Sequence, residues 1–164
     1  LRILGIDPGL SSTGYGVVEV EEDGLSCLTF GGVRVAHSAS FSDKLLAIHQ
    51  KIEKVIQQFH PDFCAIENIY YHQNKKTAII MGHARAVAML AVAQNRIEVS
   101  EYSPREIKMS IVGFGAASKI QVQAMVKNLL KLDSPPQPDD AADALAVALC
   151  HFHRLKSKQI MQGV

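Results

Sequence analysis

No cysteine pair, no excess of charge and no run of apolar residues long enough for a membrane span occurs in this 164-residue sequence. The three cysteines, Cys27, Cys64 and Cys150, lie far apart in apolar surroundings with no CxxC spacing, which argues against a zinc site or a disulfide framework and fits a reducing compartment. Charged residues make up 20% of the chain and nearly cancel, with a formal net charge of +1, so the composition is that of a folded protein without a globally basic surface. Any nucleic-acid binding must then come from local clustering. No stretch approaches the roughly 20 apolar residues of a membrane span, and the N-terminus lacks the layout of a signal peptide, so a cytoplasmic location and no membrane partner are expected. There is no internal repeat and no low-complexity tract. The length suits a single domain over residues 1–164 and is too short for two ordinary ones.

What is present is an ordered series of strand and helix patterns. Residues 2–7, 14–20 and 27–36 are rich in Val, Ile, Leu or Tyr, and Gly-containing breaks separate them, which predicts an antiparallel meander. From Phe41 to Phe59 the apolar period becomes helical, and Ser40 followed by Asp43 resembles a capping box. A short strand, FCAIE (63–67), precedes a polar loop, a helix over about 77–94, a strand over 97–102, and helices near 104–111, 118–131 and 139–153. This order predicts an α/β fold with a five-stranded mixed sheet: three antiparallel strands, then helix-connected parallel strands, with helices on its faces. DSPPQPDD is expected to be a short rigid loop feeding the last helix.

Two acids close apolar runs where the chain leaves the sheet: Asp7 ends the first strand and Glu67 the fourth. An Asp-Pro-Gly turn explains Asp7 equally well by itself. Yet the C-terminal edge of parallel strands is the usual place for ligands, and neighbouring strands would bring the two carboxylates together. The last helix begins PDDAADALAVAL, with Asp143 three residues after Asp140 and four after Asp139, so either pair shares a face and geometry does not choose between them. Dipole compensation explains acids in the first turn, but less readily Asp143 one turn in. Four converging carboxylates repel one another unless a cation sits among them. An all-oxygen set suits Mg²⁺ or Mn²⁺, and carboxylates bridging two metals about 3.5–4 Å apart are the pattern of two-metal nucleases, which makes phosphodiester hydrolysis the expected chemistry.

Four motifs occur in order along the chain: GIDPG…TGYG, AIE followed by an aromatic and a QNK-type loop, VGFGAASKIQVQAMV, and DDAADALAVAL. Together they resemble the RuvC family of Holliday-junction resolvases over essentially the whole chain. That resemblance implies a ribonuclease H-like fold, a homodimer, Mg²⁺ or Mn²⁺ (two per site), paired cuts in four-way junction DNA, and work alongside the branch-migration proteins RuvA and RuvB. It carries the catalytic and metal-ligating acids over to Asp7, Glu67, Asp140 and Asp143, choosing Asp140 over Asp139. It also implies functional lysines at Lys108 and Lys119 and an aromatic that stacks at the junction at Tyr70.

The residues themselves support several of these contacts. Arg105, Lys108, Lys119, Lys127 and Lys131 share their region with Glu106 as the lone acid, an excess that can hold phosphates, although a solvated helix face is the better account of Lys127 and Lys131. Lys119 follows GFGAAS at a helix start, where free N–H groups and an ammonium could both face an anion, and we expect it nearest the scissile group. Tyr70 and Tyr71 lie in a polar loop after Glu67, and an aromatic there can stack on an unpaired base. His151 and His153, two apart, do not share a helix face, so one buried and one solvent-facing histidine is expected rather than a metal pair. The segment GHARAVAMLAVAQ (82–94) is small and apolar enough for close helix packing and is a candidate subunit interface. Three other readings remain: another ribonuclease H-like nuclease acting on single-stranded DNA or RNA, a non-cleaving DNA-binding module, and an actin-like ATPase, whose phosphate loop GIDPG resembles but which needs a second domain.

Overall fold

The computed structural model describes residues 1–36, 38–68 and 75–162. Strands β1 (Arg2–Asp7), β2 (Ser12–Glu21) and β3 (Gly24–Arg34) form the expected meander. They are followed by α1 (Phe41–Phe59), β4 (Phe63–Glu67), α2 (Lys75–Gln94), β5 (Glu98–Tyr102), α3 (Pro104–Val112), α4 (Lys119–Leu129) and α5 (Asp139–Met161). The sheet order is β3-β2-β1-β4-β5, antiparallel from β3 to β1 and parallel from β1 to β5.

The alternation along each strand divides the core in two. Ile3, Val18 and Ala65 join Leu145, Val147, Leu149, Ile107 and Val126 beneath α3, α4 and α5. Leu4, Ile6, Val17, Cys64 and Ile66 face the other way, into Ile48, Ile52, Ala84, Ala88 and Val92 of α1 and α2. By the same period of two, Asp7 and Glu67 fall on the α5 side. The β1–β4 register aligns Ile6 with Ile66, so its next step brings Asp7 abreast of Glu67.

Helix α5 lies unusually close to the sheet because glycines leave it room. A Cβ on Gly5 would stand 1.9 Å from the Ala144 carbonyl oxygen, and one on Gly14 would stand 1.9 Å from that of Asp140. The helix answers with small residues of its own: Ala141, Ala142, Ala144, Ala146 and Ala148 are all buried.

Several local expectations need correction. Ser40 caps α1 by accepting the Asp43 N–H at 3.1 Å, but the Asp43 carboxylate takes the Ser40 hydroxyl at 2.6 Å, so only half of a capping box forms. Complete boxes start α3 (Ser103 and Glu106) and α4 (Ser118 and Gln121). Helix α5 runs eight residues past the expected His153, through a polar stretch without a core stripe to reveal it. His153 is not solvent-facing: it is half-buried and shares a 3.0 Å hydrogen bond with Ser110, while buried His151 shares one of 2.7 Å with the Tyr102 hydroxyl. Burial lowers the pKa of both. By length and composition, α2 is also apolar enough to cross a membrane, contrary to the expectation of no such stretch. Its many alanines raise the hydropathy, and Ala84, Ala88, Ala91 and Val92 are buried in the core against α1 and the sheet.

Candidate active site

Three elements bring the acids together. Asp7 ends β1 and pairs in the sheet with Gly14 of β2. Because Gly14 has no side chain, the first turn of α5 sits directly on it, placing Asp140 beside Asp7. Asp143, one turn further on, follows on the same face. Carboxylate oxygens of Asp7, Asp140 and Asp143 all lie within 4.8 Å of one another, and all three residues are half-buried. Glu67 stands outside that group of three, but it lines a cavity of about 240 Å³ with Asp143, Lys108 and Lys119. Asp139, the alternative that helix geometry left open, is exposed and accepts a 3.1 Å hydrogen bond from Gln123 instead.

The energetic cost of this convergence shows in the titration of the acids. Burial, reinforced by the charges of Glu67, Asp143 and Asp140, pushes Asp7 up to about 8. Burial and Asp143 push Glu67 up to about 7, although Lys108 and Lys119 pull the other way. Burial also raises Asp143, outweighing the hydrogen bond from Lys119. For Lys119, burial works against the ammonium, yet Asp143, Asp139 and Asp140 hold it above the usual lysine range. Its Nζ lies 2.9 Å from Asp143 Oδ2 and 3.6 Å from Asp139 Oδ2. Lys119 and Lys108 therefore offset only part of the charge. A pocket of hard oxygen donors that holds protons near neutral pH for want of positive charge is chemically suited to a divalent cation.

The other sequence candidates are placed unevenly. Lys108 reaches the cavity from α3. Lys119 is at the cavity too, with its ammonium on the protein's own carboxylates, and Ser118 and Gln121 already satisfy one another's N–H groups at that helix start. Arg105 is exposed and its side chain lies against Gly115, away from the acids. Tyr70 and Tyr71 lie outside the described residues. Sequence reading missed Ser12, whose hydroxyl donates to Asp140 Oδ2 at 2.5 Å, and gave no role to the Thr13 of TGYG, which is buried and bonds Gly9. Nothing local marks Ser12, because its partner is 128 positions away.

A ribonuclease H-like sheet with acids gathered from two parallel strand ends and a crossing helix defines a class, the nucleases that work through carboxylates and a bound divalent metal. The sequence matches, over residues 3–151, the family described as Crossover junction endodeoxyribonuclease RuvC. A relative of that description from Ruminiclostridium cellulolyticum is 49% identical over 155 residues, covering 93% of each chain. The structure of Thermus thermophilus RuvC superposes with a TM-score of 0.89 at 29% identity, covering 96% of this chain and 97% of that one. The same protein in complex with Holliday junction substrate gives a TM-score of 0.88 at 27% identity, covering 96% of each chain. The chain belongs to the RuvC family of crossover junction endodeoxyribonucleases.

Proposed function

We propose that this chain resolves four-way DNA junctions as a homodimer, making paired symmetric nicks that leave 5′-phosphate and 3′-hydroxyl ends. The observation that carries this reading is the convergence of Asp7, Asp140 and Asp143, with Glu67 across the cavity, in a chain of this family. The four carboxylates are the proposed ligands of Mg²⁺ or Mn²⁺, two per site. When bound, such ions activate water for in-line attack and stabilise the leaving 3′ oxygen. Asp7, grouped with Asp140 and Asp143 at the end of β1, would be one ligand, with Glu67 reaching the site across the cavity that it shares with Asp143. Deprotonation of Asp7 and Glu67 accompanies loading of the site, because both hold protons near neutrality without it.

Lys119 has a second task. With Asp143 engaged elsewhere, its ammonium is free to turn to the phosphate and offset the charge that grows there during attack. Lys108 lines the same cavity and binds an adjacent phosphate, while Arg105, further out on α3, holds the backbone away from the cut. Tyr70 is proposed to stack on a base at the junction, on the strength of the sequence alone. The partner subunit is assigned to α2, whose Ile79 and Leu90 are 62% and 52% exposed on the side opposite its buried alanines. A subunit partner rather than a lipid surface covers that face in this reading. Cooperation with RuvA and RuvB and a cytoplasmic location complete the proposal.

The test is incubation of the protein with labelled four-way junction, linear duplex, single-stranded DNA and RNA, with Mg²⁺ or with a chelator. Metal-dependent nicks at symmetric positions on opposing strands of the junction are expected. Preferential cutting of single strands or RNA, or ATP hydrolysis without nicking, would overturn the proposal.

A further inference from the structure

We infer that Ser12 is a positioning residue for Asp140, holding its carboxylate in the orientation that completes the metal site. Resting on the reading of Asp140 as a metal ligand, this adds a residue that lies in the gap of the GIDPG…TGYG motif.

The hydroxyl of Ser12 donates to Asp140 Oδ2 at 2.5 Å, a charge-assisted geometry at the short end of the range for such bonds. An ionised carboxylate has about four lone-pair sites, so this contact fixes the plane of the group and leaves the remaining sites free for an ion. The capping geometry of α5 does not provide that restraint: its N-cap is Pro138, which makes no side-chain capping bond. Without Ser12, the half-buried Asp140 would keep its place on Gly14, but no side-chain hydrogen bond among those observed would orient its carboxylate.

Ser12 is itself held firmly. It opens β2 opposite Arg34 of β3. Next to it, fully buried Thr13 donates to the Gly9 carbonyl at 2.6 Å and accepts the Gly9 N–H at 3.2 Å, closing the turn that follows Asp7. The residue after that, Gly14, is the sheet partner of Asp7 and the seat of the Asp140 backbone. Ser12 thus belongs to the same short hairpin that positions Asp7, and its hydroxyl ties the orientation of the helix acid to that of the strand acid. Outer-sphere partners of this kind commonly change metal affinity or activity by about 10–100-fold when removed.

The experiment measures Mn²⁺ and Mg²⁺ affinity by calorimetry, and the rise in melting temperature on metal addition, for wild type, Ser12→Ala, Ser12→Thr and Asp140→Asn. Nicking is followed alongside as a function of metal concentration. For Ser12→Ala we expect metal affinity weakened by about tenfold, with nicking recovered at high metal. Ser12→Thr, which keeps the hydroxyl on a strand residue, is expected to restore affinity. If Ser12→Ala binds metal like wild type while Asp140→Asn binds weakly, the inference about Ser12 fails and the reading of Asp140 stands. If Asp140→Asn also binds like wild type, both fail. A Ser12→Ala variant that melts lower by the same amount with and without metal, at unchanged affinity, would show a structural staple only and equally overturn the inference.

Discussion

Asp7 holds a conflict within one side chain: a carboxyl that folding half-buries and sets beside three other acids. Its folded value of about 8 lies above the ordinary 3.8, and that of Glu67, about 7, lies above 4.5. Between these limits the metal-free folded state binds more protons than the unfolded chain, so the free energy of unfolding falls as pH rises. The stability is present in full below the ordinary values and is lost as pH passes through about 7 and then about 8. In chelator, the melting temperature is therefore expected to decline between pH 5 and pH 9, whereas Mg²⁺ should reduce the decline and raise stability most at the alkaline end. Asp7→Asn removes the buried charge. It should flatten the profile in chelator, melt at or above wild type at alkaline pH, and lower junction nicking by at least about 10²-fold, as loss of a central electrostatic group commonly does. A variant that keeps the steep profile would mean that Asp7 is not the group under strain.

Among the elements, α5 decides whether a site exists at all, since it carries two of the acids and crosses the sheet on a track of glycines. Gly14 is the sharpest point of that track. A methyl group there would stand 1.9 Å from the Asp140 carbonyl oxygen and 2.9 Å from the Asp140 Cβ, so the helix start must move. Gly14→Ala is expected to destabilise the protein by about 1–3 kcal/mol, as overpacking of a tight contact does, and to depress metal-dependent nicking beyond what the loss of folded protein explains. Thermal melts set beside specific activity corrected for the folded fraction check this, and a destabilised variant of normal specific activity would contradict it. The same contact explains what the sequence revealed and what it hid. Short apolar runs closed by an acid placed Asp7 and Glu67 at the ends of β1 and β4, and the strand bounds 2–7 and 63–67 hold in the structure. Helical spacing could not separate Asp139 from Asp140, because both share a face with Asp143. The family motif chose Asp140, and the structure shows the physical reason, packing against Gly14, a tertiary contact that helical spacing does not contain. Ser12 was invisible for the same reason. The far end of α5 escaped notice because its final turns bury little, and the lysine at the start of α4 faces carboxylates that only the folded chain brings near it.

At the scale of the whole molecule, one chain presents one acid cluster among its described residues, while a four-way junction must be cut on two opposing strands to give two duplexes. In the proposed dimer, two-fold assembly would supply the second cluster at a fixed separation, provided some surface can hold the copies together. Helix α2 has the required character: it is apolar nearly all round, yet only Ala84, Ala88, Ala91 and Val92 are buried within it. An apolar helix with one free side is stable in water when a partner covers that side. Phe41 of neighbouring α1, 44% exposed and with its ring 5.3 Å from that of His83 of α2, extends the apolar area. A stable interface needs about 800 Å² from each partner, so charges placed in the middle of such a patch should be enough to prevent its formation. Ile79→Glu with Leu90→Glu is expected to convert a dimer to a monomer in sedimentation equilibrium. Both positions are exposed, so the monomer should stay folded and keep its metal-dependent rise in melting temperature. On a supercoiled plasmid that extrudes a four-way junction, the dimer should give mainly linear product, since both strands are cut within one encounter. The monomer should instead accumulate nicked circles, with a large loss of the linear form. A double variant that remains dimeric, or a monomer that still linearises the plasmid in one encounter, would show that pairing of the cuts does not depend on this face of α2.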